Sequence, residues 1–406
     1  MESFRTLLLF GIFVILLDSV FAKKENGMEK FLEGSSDFTE SFLYEASKSD
    51  PGVNAIYSPF SLLFLLAQLA LYAKGYSEEQ LLSVLHFKNG REIRSTIPNY
   101  LDILNSQQNI TFELAEKVYG NKQYRFSKRF ERDTKKIFEA EAQNLDFSDS
   151  SVAAKTINDW VANITRNLIT DLVSPETLNS YTRLVLVNAI YFKGGWKYPF
   201  NVDNTQTKTF YVTKSKNVTV NMMNQVGTFN YADIDQQGGV KILELPYING
   251  NFSFLVCLPK SRFGLGKLIT AVGNTTYSAL ANAQSKLKPQ RVNVSLPTIK
   301  TTTTIDLSAL LQKLNVSAIF DARTAELSGI LKDDDEEQLY VSSAIQKATI
   351  IVNEEGSEAA AGNAIVVGVT AVMTPPKTFV FNANHPFAYY ILFKGTPIFS
   401  GVFMGH

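Results

Sequence analysis

Glu354-Glu355-Gly356-Ser357-Glu358-Ala359-Ala360-Ala361-Gly362-Asn363-Ala364-Ile365-Val366-Val367-Gly368-Val369-Thr370-Ala371-Val372-Met373 carries two structural preferences before it breaks at Thr374-Pro375-Pro376. The first half is acidic and small, the composition of a loop or hinge; the second half is β-branched, the composition of a strand wanting partners. Two readings fit such a segment: a buried strand with a loose N-terminal end, or a strand held out of its sheet. Its flanks are strands. Residues 339–352 read as a long strand delivering the chain to Glu354, and residues 388–393 and 398–403 as a hairpin joined through Lys394-Gly395-Thr396-Pro397.

Outward from there, composition excludes several classes. Residues 1–22 open with Arg5, run apolar from Leu7 to Leu17 and end Val20-Phe21-Ala22 ahead of Lys23-Lys24, the pattern of a secretory signal peptide cut after Ala22. That apolar run falls short of the roughly 20 residues a membrane helix needs, so the expectation is a soluble, exported, monomeric domain over 23–406. Lys plus Arg and Asp plus Glu both number 39, so net charge is zero and neither nucleic acid nor a membrane surface is indicated as a partner. Cys257 is the single cysteine, which rules out a disulfide within the chain. Extracellular stability must then come from a large core, and a thiol in the apolar run 252–258 reads as inert packing. Asn109, Asn163, Asn217, Asn251, Asn274, Asn293 and Asn315 each head an Asn-X-Ser/Thr sequon and are candidate glycan sites in an exported chain.

A hydrolase needs a base beside its nucleophile, yet the histidines are His86, His385 and His406, and none lies in a catalytic motif. Gly-x-Ser-x-Gly, His-Glu-x-x-His and Gly-x-x-x-x-Gly-Lys are absent as well. No catalytic residue, metal or cofactor is expected. Arg125, Lys128, Arg129, Arg132, Lys135 and Lys136 interleave with Phe126, Phe130 and Phe138, whose spacing puts the rings on one helical face and the charges outside. This is a solvated helix face or a glycosaminoglycan site.

Motifs in unbroken order carry a resemblance over roughly residues 30–404. Glu354 to Ala361 matches the hinge of the reactive-centre loop of inhibitory serpins, the serine protease inhibitors. Asn54-Ala55-Ile56-Tyr57-Ser58-Pro59-Phe60-Ser61 resembles the family's Asn-x-x-x-Ser-Pro-x-Ser. Asn188-Ala189-Ile190-Tyr191-Phe192-Lys193-Gly194-Gly195-Trp196, with Phe200, Thr205 and Phe210 following, is similar to Asn-Ala-x-Tyr-Phe-Lys-Gly-x-Trp. Phe381-Asn382-Ala383-Asn384-His385-Pro386-Phe387 resembles the terminal signature. Five positions depart from the pattern: Tyr72 and Asn315 each replace a Gly, Ser77 replaces a Thr, Thr298 stands where a basic residue pairs the loop-base glutamate, and Gln346 replaces a histidine that helps close the sheet.

Helices early and strands late agree with an α+β single domain; the resemblance implies the serpin layout of three β-sheets, about nine helices and an exposed reactive-centre loop. It also implies roles. Ser58, Ser61 and Asn188 would lie beneath the central sheet where it opens, Trp196 near the top where the loop enters, and Glu354, Glu355, Gly356, Ser357, Glu358, Ala359, Ala360 and Ala361 would form the hinge. A target serine protease would cut the loop, form an acyl-enzyme, and be dragged away as the freed loop inserts as a strand. Counting seventeen residues from Glu354 places the scissile bond at Thr370-Ala371, with Ala371-Val372 and Val372-Met373 as rivals. Thr370 is small and uncharged, which favours an elastase-like or chymotrypsin-like target over a trypsin-like one. Inserted from Ser357, the inward side chains would be Ser357, Ala359, Ala361, Asn363, Ile365, Val367 and Val369, with the Asn363 amide the weak point. The alternative within the family is a non-inhibitory carrier, storage protein or chaperone; small Ser357 and the intact alanines favour the inhibitor.

Overall fold

Ser58 ends a short strand and starts a helix whose twelve residues are all buried: its side chain accepts a hydrogen bond from the Ser61 amide, and Pro59 occupies the first turn, where no amide is needed. The computed structural model describes residues 27–49, 51–235, 238–273, 279–332, 338–357 and 377–405. The signal peptide at 1–22, Asn274, the loop residues Glu358 to Ala361 and the scissile pair Thr370 and Ala371 lie outside the described residues.

In chain order the first half contains α1 (27–49), β1 (Ala55–Tyr57), α2 (Pro59–Ala70), α3 (Gly75–Val84), α4 (Gly90–Asn105), β2 (Ile110–Asn121), α5 (Lys128–Ile137), β3 (Glu141–Leu145), α6 (Ser150–Ile164), β4 (Leu184–Gly195), β5 (Gln206–Tyr211) and β6 (Asn217–Ile234). There follow β7 (Val240–Pro246), β8 (Phe252–Pro259), α7 (Leu265–Gly273), α8 (Ala279–Ser285), β9 (Lys288–Pro297), β10 (Ile299–Asp306), α9 (Leu307–Lys313), β11 (Val341–Val352), β12 (Gly356–Ser357), β13 (Phe379–Asn382), β14 (Phe387–Phe393) and β15 (Thr396–Phe403).

The strands form a six-stranded sheet, β10-β11-β12-β4-β2-β3, and a nine-stranded ladder, β1-β15-β14-β8-β7-β6-β9-β13 with β5 on β6. The three expected sheets are thus two hydrogen-bonded ladders, because β6 is long enough to serve two of them. Its residues 217–222 pair β5, residues 230–234 pair β7, and β9 runs along the opposite edge.

β4 is buried on both faces, as an apolar run without alternation predicts. Leu184, Leu186, Ile190 and Phe192 enter the main core with α2, while Val185, Val187 and Ala189 enter a second core with Ile157 and Val161 of α6. The six-stranded sheet is therefore a wall between two cores.

Candidate functional site

The chain leaves β11 at Asn353, turns, and comes back as β12. The Asn353 amide donates to the Gly356 carbonyl at 2.8 Å. Gly356 has φ of 151°, and a Cβ there would lie 2.2 Å from the Gly194 carbonyl oxygen, so neither backbone nor space admits a side chain. The turn lets Ser357 enter between two strands, opposite Gly194 of β4 and Val352 of β11. Its side chain points inward, is fully buried, and shares a 2.6 Å hydrogen bond with the Tyr247 hydroxyl. Burial pushes the Tyr247 hydroxyl pKa well above its ordinary value, so the phenol stays protonated and available to that bond.

Trp196 braces this point. Its ring stacks on Tyr247 at 4.7 Å, its indole nitrogen donates to the Asn353 carbonyl at 2.9 Å, and its amide donates to the Glu355 carbonyl at 2.8 Å. Glu354 has no basic partner at Thr298, whose amide instead donates to the Asn221 carbonyl. The Glu354 carboxylate accepts from the Thr205 hydroxyl at 2.5 Å, and its carbonyl accepts from the Phe200 amide at 2.8 Å. A neutral donor stands where the resemblance implies a cation.

Below β12 the sheet is closed. β4 and β11 pair in parallel from Leu184 opposite Val341 to Tyr191 opposite Thr349. The sheet is a fork, shut along most of its length and parted at the top by Gly356 and Ser357.

Inside the shut part lies a polar stripe. Gln346 of β11 sits opposite Asn188 of β4, which sits opposite Glu116 of β2. The Gln346 side-chain amide donates to Asn188 Oδ1 and to the Ser58 carbonyl, each at 2.8 Å, while its oxygen accepts from the Ser58 amide at 2.9 Å. Ser61 Oγ donates to Asn188 Oδ1 at 2.8 Å, and Ser58 Oγ donates to the Ile398 carbonyl at 2.7 Å. Gln346 thus ties β11, β4 and α2 together with its own donor and acceptor.

The far end of the stripe is a carboxyl group. Glu116 accepts from Asn188 Nδ2 and from Gln68 Nε2 of α2, both at 3.3 Å. Removal from water raises its pKa well above the usual carboxylate range, against the smaller opposing effect of the Gln68 bond.

The structure brings together Ser58, Ser61 and Asn188, and separately Trp196 with Glu354 to Ser357. Sequence reasoning missed Tyr247, Thr205, Glu116 and Gln68 as their partners. Glu116 carried a signal: it stands between Leu114 and Val118 on the strand face that enters the main core. Asn109, Asn163, Asn217, Asn251, Asn293 and Asn315 are all exposed. Burial pushes the Cys257 thiol pKa up to about 12, and His385 is buried with Nε2 2.8 Å from the Pro259 carbonyl oxygen, so neither offers a nucleophile or a free base. On α5 Phe130 is buried while Lys128, Arg129, Arg132, Lys135 and Lys136 face solvent.

Comparison with known proteins agrees with this geometry. The family model described as "Serpin (serine protease inhibitor)" matches residues 33–406. Antichymotrypsin-2 of Bombyx mori is 39% identical over 371 residues, covering 91% of this chain and 96% of its own, and Antitrypsin of the same organism is 38% identical over 371 residues, covering 91% and 93%. The crystal structure of Serpin48, a highly specific serpin in the insect Tenebrio molitor, superposes with a TM-score of 0.83 at 33% identity, covering 93% of this chain and 98% of that one.

Proposed function

The chain belongs to the serpin family, and from that premise we propose that it is an exported inhibitor that traps a serine protease on its own reactive loop. An inhibitor that serves as bait needs no catalytic machinery of its own. The observation that carries the reading is Ser357, seated between β4 and β11 with its side chain inward. A loop that already contributes its first two residues to the gap has only to continue downward.

The sequence of events starts at Thr370-Ala371. The protease serine attacks the Thr370 carbonyl, the amine of Ala371 leaves, and an ester joins enzyme to loop. Release of the Ala371 side frees the segment that follows Ser357 to separate β4 from β11 as a new central strand. Inward burial of Ile365, Val367 and Val369 at about 1.5 to 3 kcal/mol each supplies about 5 to 9 kcal/mol, before backbone pairing is counted. The ester-linked protease is carried along and distorted before water can complete the hydrolysis.

Target class follows from Thr370. A short uncharged side chain gives a trypsin-like pocket no ion pair and leaves a deep aromatic pocket underfilled, so a shallow apolar pocket of the elastase kind fits best, with a chymotrypsin-like one next. The two relatives are named for chymotrypsin and for trypsin, so the bait residue makes the choice. Export rests on the signal pattern at residues 1–22 and on sequons whose six described members are exposed.

The test is incubation with a panel of elastase-type, chymotrypsin-type and trypsin-type proteases followed by a denaturing gel. A covalent band of combined mass that survives boiling in detergent is expected with at least one of the first two. Loop cleavage without any such band would replace the inhibitor by a non-inhibitory family member.

A further inference from the structure

We infer that Asn293 carries an N-linked glycan whose first sugar lies across the exposed side chains of Val226 and Val380 and covers the apolar row they form at the edge of the nine-stranded ladder. This rests on the export reading above and goes beyond it by assigning one sequon a sugar and that sugar a place.

The row follows from strand register. β9 runs between β6 and β13, and Asn293 pairs Val226 on one side and Val380 on the other. Its chain neighbours Val292 and Val294 are fully buried, so alternation turns Asn293 outward. Residues directly opposite across strands share a face, and Val226 and Val380 are accordingly 51% and 55% exposed. The next residues along that face are polar, Thr228 opposite Arg291 in one direction, and Asn224, Ser295 and Asn382 in line in the other. Two half-exposed valines thus stand about 9.6 Å apart, two strand spacings, with a sequon asparagine between them. Of the six described sequons, Asn293 alone stands inside a sheet with a paired strand on each side.

Single apolar residues scattered over a surface need no cover. These two are aligned, and the row reaches β13, which ends the ladder among the described residues. A sheet edge invites pairing by a second chain unless charge, proline or bulk blunts it. β13 reads Phe-Val-Phe-Asn and holds neither charge nor proline. A glycan on the adjacent strand supplies the bulk. A pyranose ring presents C–H groups on its faces and hydroxyls around its rim, so a sugar lying along the row sets a face on the valines and its rim toward the polar residues on either side.

The sequon supplies the amide nitrogen at Asn293 and the hydroxyl at Ser295. The donor is an oligosaccharide carried on a polyisoprenyl diphosphate. The bond from Asn293 Nδ2 to C1 of the first N-acetylglucosamine forms, the C1–O bond to the diphosphate breaks, the lipid diphosphate leaves with the electron pair, and Nδ2 gives one proton to a base of the transferase. In the finished fold Ser295 Oγ donates to Asn224 Oδ1 at 2.7 Å and β9 is paired on both sides. Transfer therefore precedes the docking of β13, the last of the three strands in the chain.

The test uses the full-length protein secreted from a glycosylating eukaryotic culture. Amidase removal of glycans in heavy-oxygen water, followed by mass spectrometry of peptides, marks each occupied asparagine. Binding of anilinonaphthalene sulfonate and the rate of aggregation are then compared for the parent, Asn293→Gln, Asn217→Gln as a glycan-loss control, and the triple variant Asn293→Gln/Val226→Gln/Val380→Gln. Should Asn293→Gln be poorly secreted, folded parent stripped natively by the amidase takes its place, against Val226→Gln/Val380→Gln stripped in the same way. Asn293 should be occupied, and its loss should raise dye binding and aggregation several-fold, while Asn217→Gln and the triple variant stay at the parental level. If no sequon carries a glycan, the export reading falls and this inference with it. If other sequons are occupied and Asn293 is bare, or if its glycan is lost without change in dye binding and aggregation, this inference alone is overturned.

Discussion

Ser357→Arg attacks a loop side chain that already lies inside the sheet. Ser357 is fully buried between Gly194 and Val352, and its hydroxyl partners a Tyr247 that is itself fully buried. Arginine removes that bond, leaving the Tyr247 hydroxyl unpaired at a cost of about 1 to 3 kcal/mol. It also puts a guanidinium into a fully buried place between Gly194 and Val352, beside the Tyr247 hydroxyl, a desolvation penalty of several kcal/mol. The charge escapes by keeping Gly356 and Ser357 out of the gap, so the uncut protein stays folded with the top of the fork closed. After cleavage the escape is lost, because insertion must lead with this residue. The variant should turn from inhibitor to substrate: the loop is cut at the parental rate, product accumulates, and the covalent band disappears from the gel. Ser357→Ala is the control that isolates the hydrogen bond and should keep most of its inhibition. Undiminished covalent complex from Ser357→Arg would refute entry of the loop at this point.

Glu116→Gln should remove a pH dependence. Because the folded-state pKa of Glu116 is raised, its contribution is fully present below the ordinary carboxylate range and is lost as pH rises through the folded value; the parent should therefore weaken relative to the variant above about pH 4.5, by at most about 1.4 kcal/mol per pH unit. Parallel stability curves from pH 4 to 8 would count against a buried neutral carboxyl group. Gln346→Leu leaves the Ser58 amide without its acceptor, at a cost of about 1 to 3 kcal/mol, and takes from Asn188 Oδ1 one of its two donors, Ser61 Oγ remaining, so the urea midpoint of the uncut protein should fall; a midpoint matching the parent would show that the stripe does not hold the sheet shut. The peptide released from an elastase-type protease complex should begin at Ala371 by mass spectrometry, and one beginning at Val372 or Met373 would move the scissile bond toward the C-terminus.

What could be read from the chain was local. The unalternating apolar run of β4 and the helix start at Ser58-Pro59 are each written within a dozen residues, and periodicity or capping exposes them directly. What could not be read was pairing between distant segments. Glu354 looked stranded because Thr298 is not basic, yet Thr205, 149 residues away in the chain, supplies the donor. Gln346 stands where the resemblance puts a histidine, and its amide oxygen and nitrogen both bond to the backbone of Ser58, a pairing of distant segments that residue type alone does not disclose. Tyr247 closes the run Leu243-Glu244-Leu245-Pro246-Tyr247, and nothing local says that the hydroxyl at its tip will meet Ser357.

The polar stripe bears on how such a sheet stays shut. Gln346 closes the gap between β11 and β4 through Asn188 and ties the closed pair to α2 through the Ser58 backbone. Above it the parallel pairing ends at Tyr191 opposite Thr349, and Gly356 and Ser357 occupy the gap beyond. A further strand between β4 and β11 would have to break both that pairing and the Gln346 to Asn188 bond, so the stripe sets part of the barrier to opening. Ser357 marks the end from which that pairing is already undone.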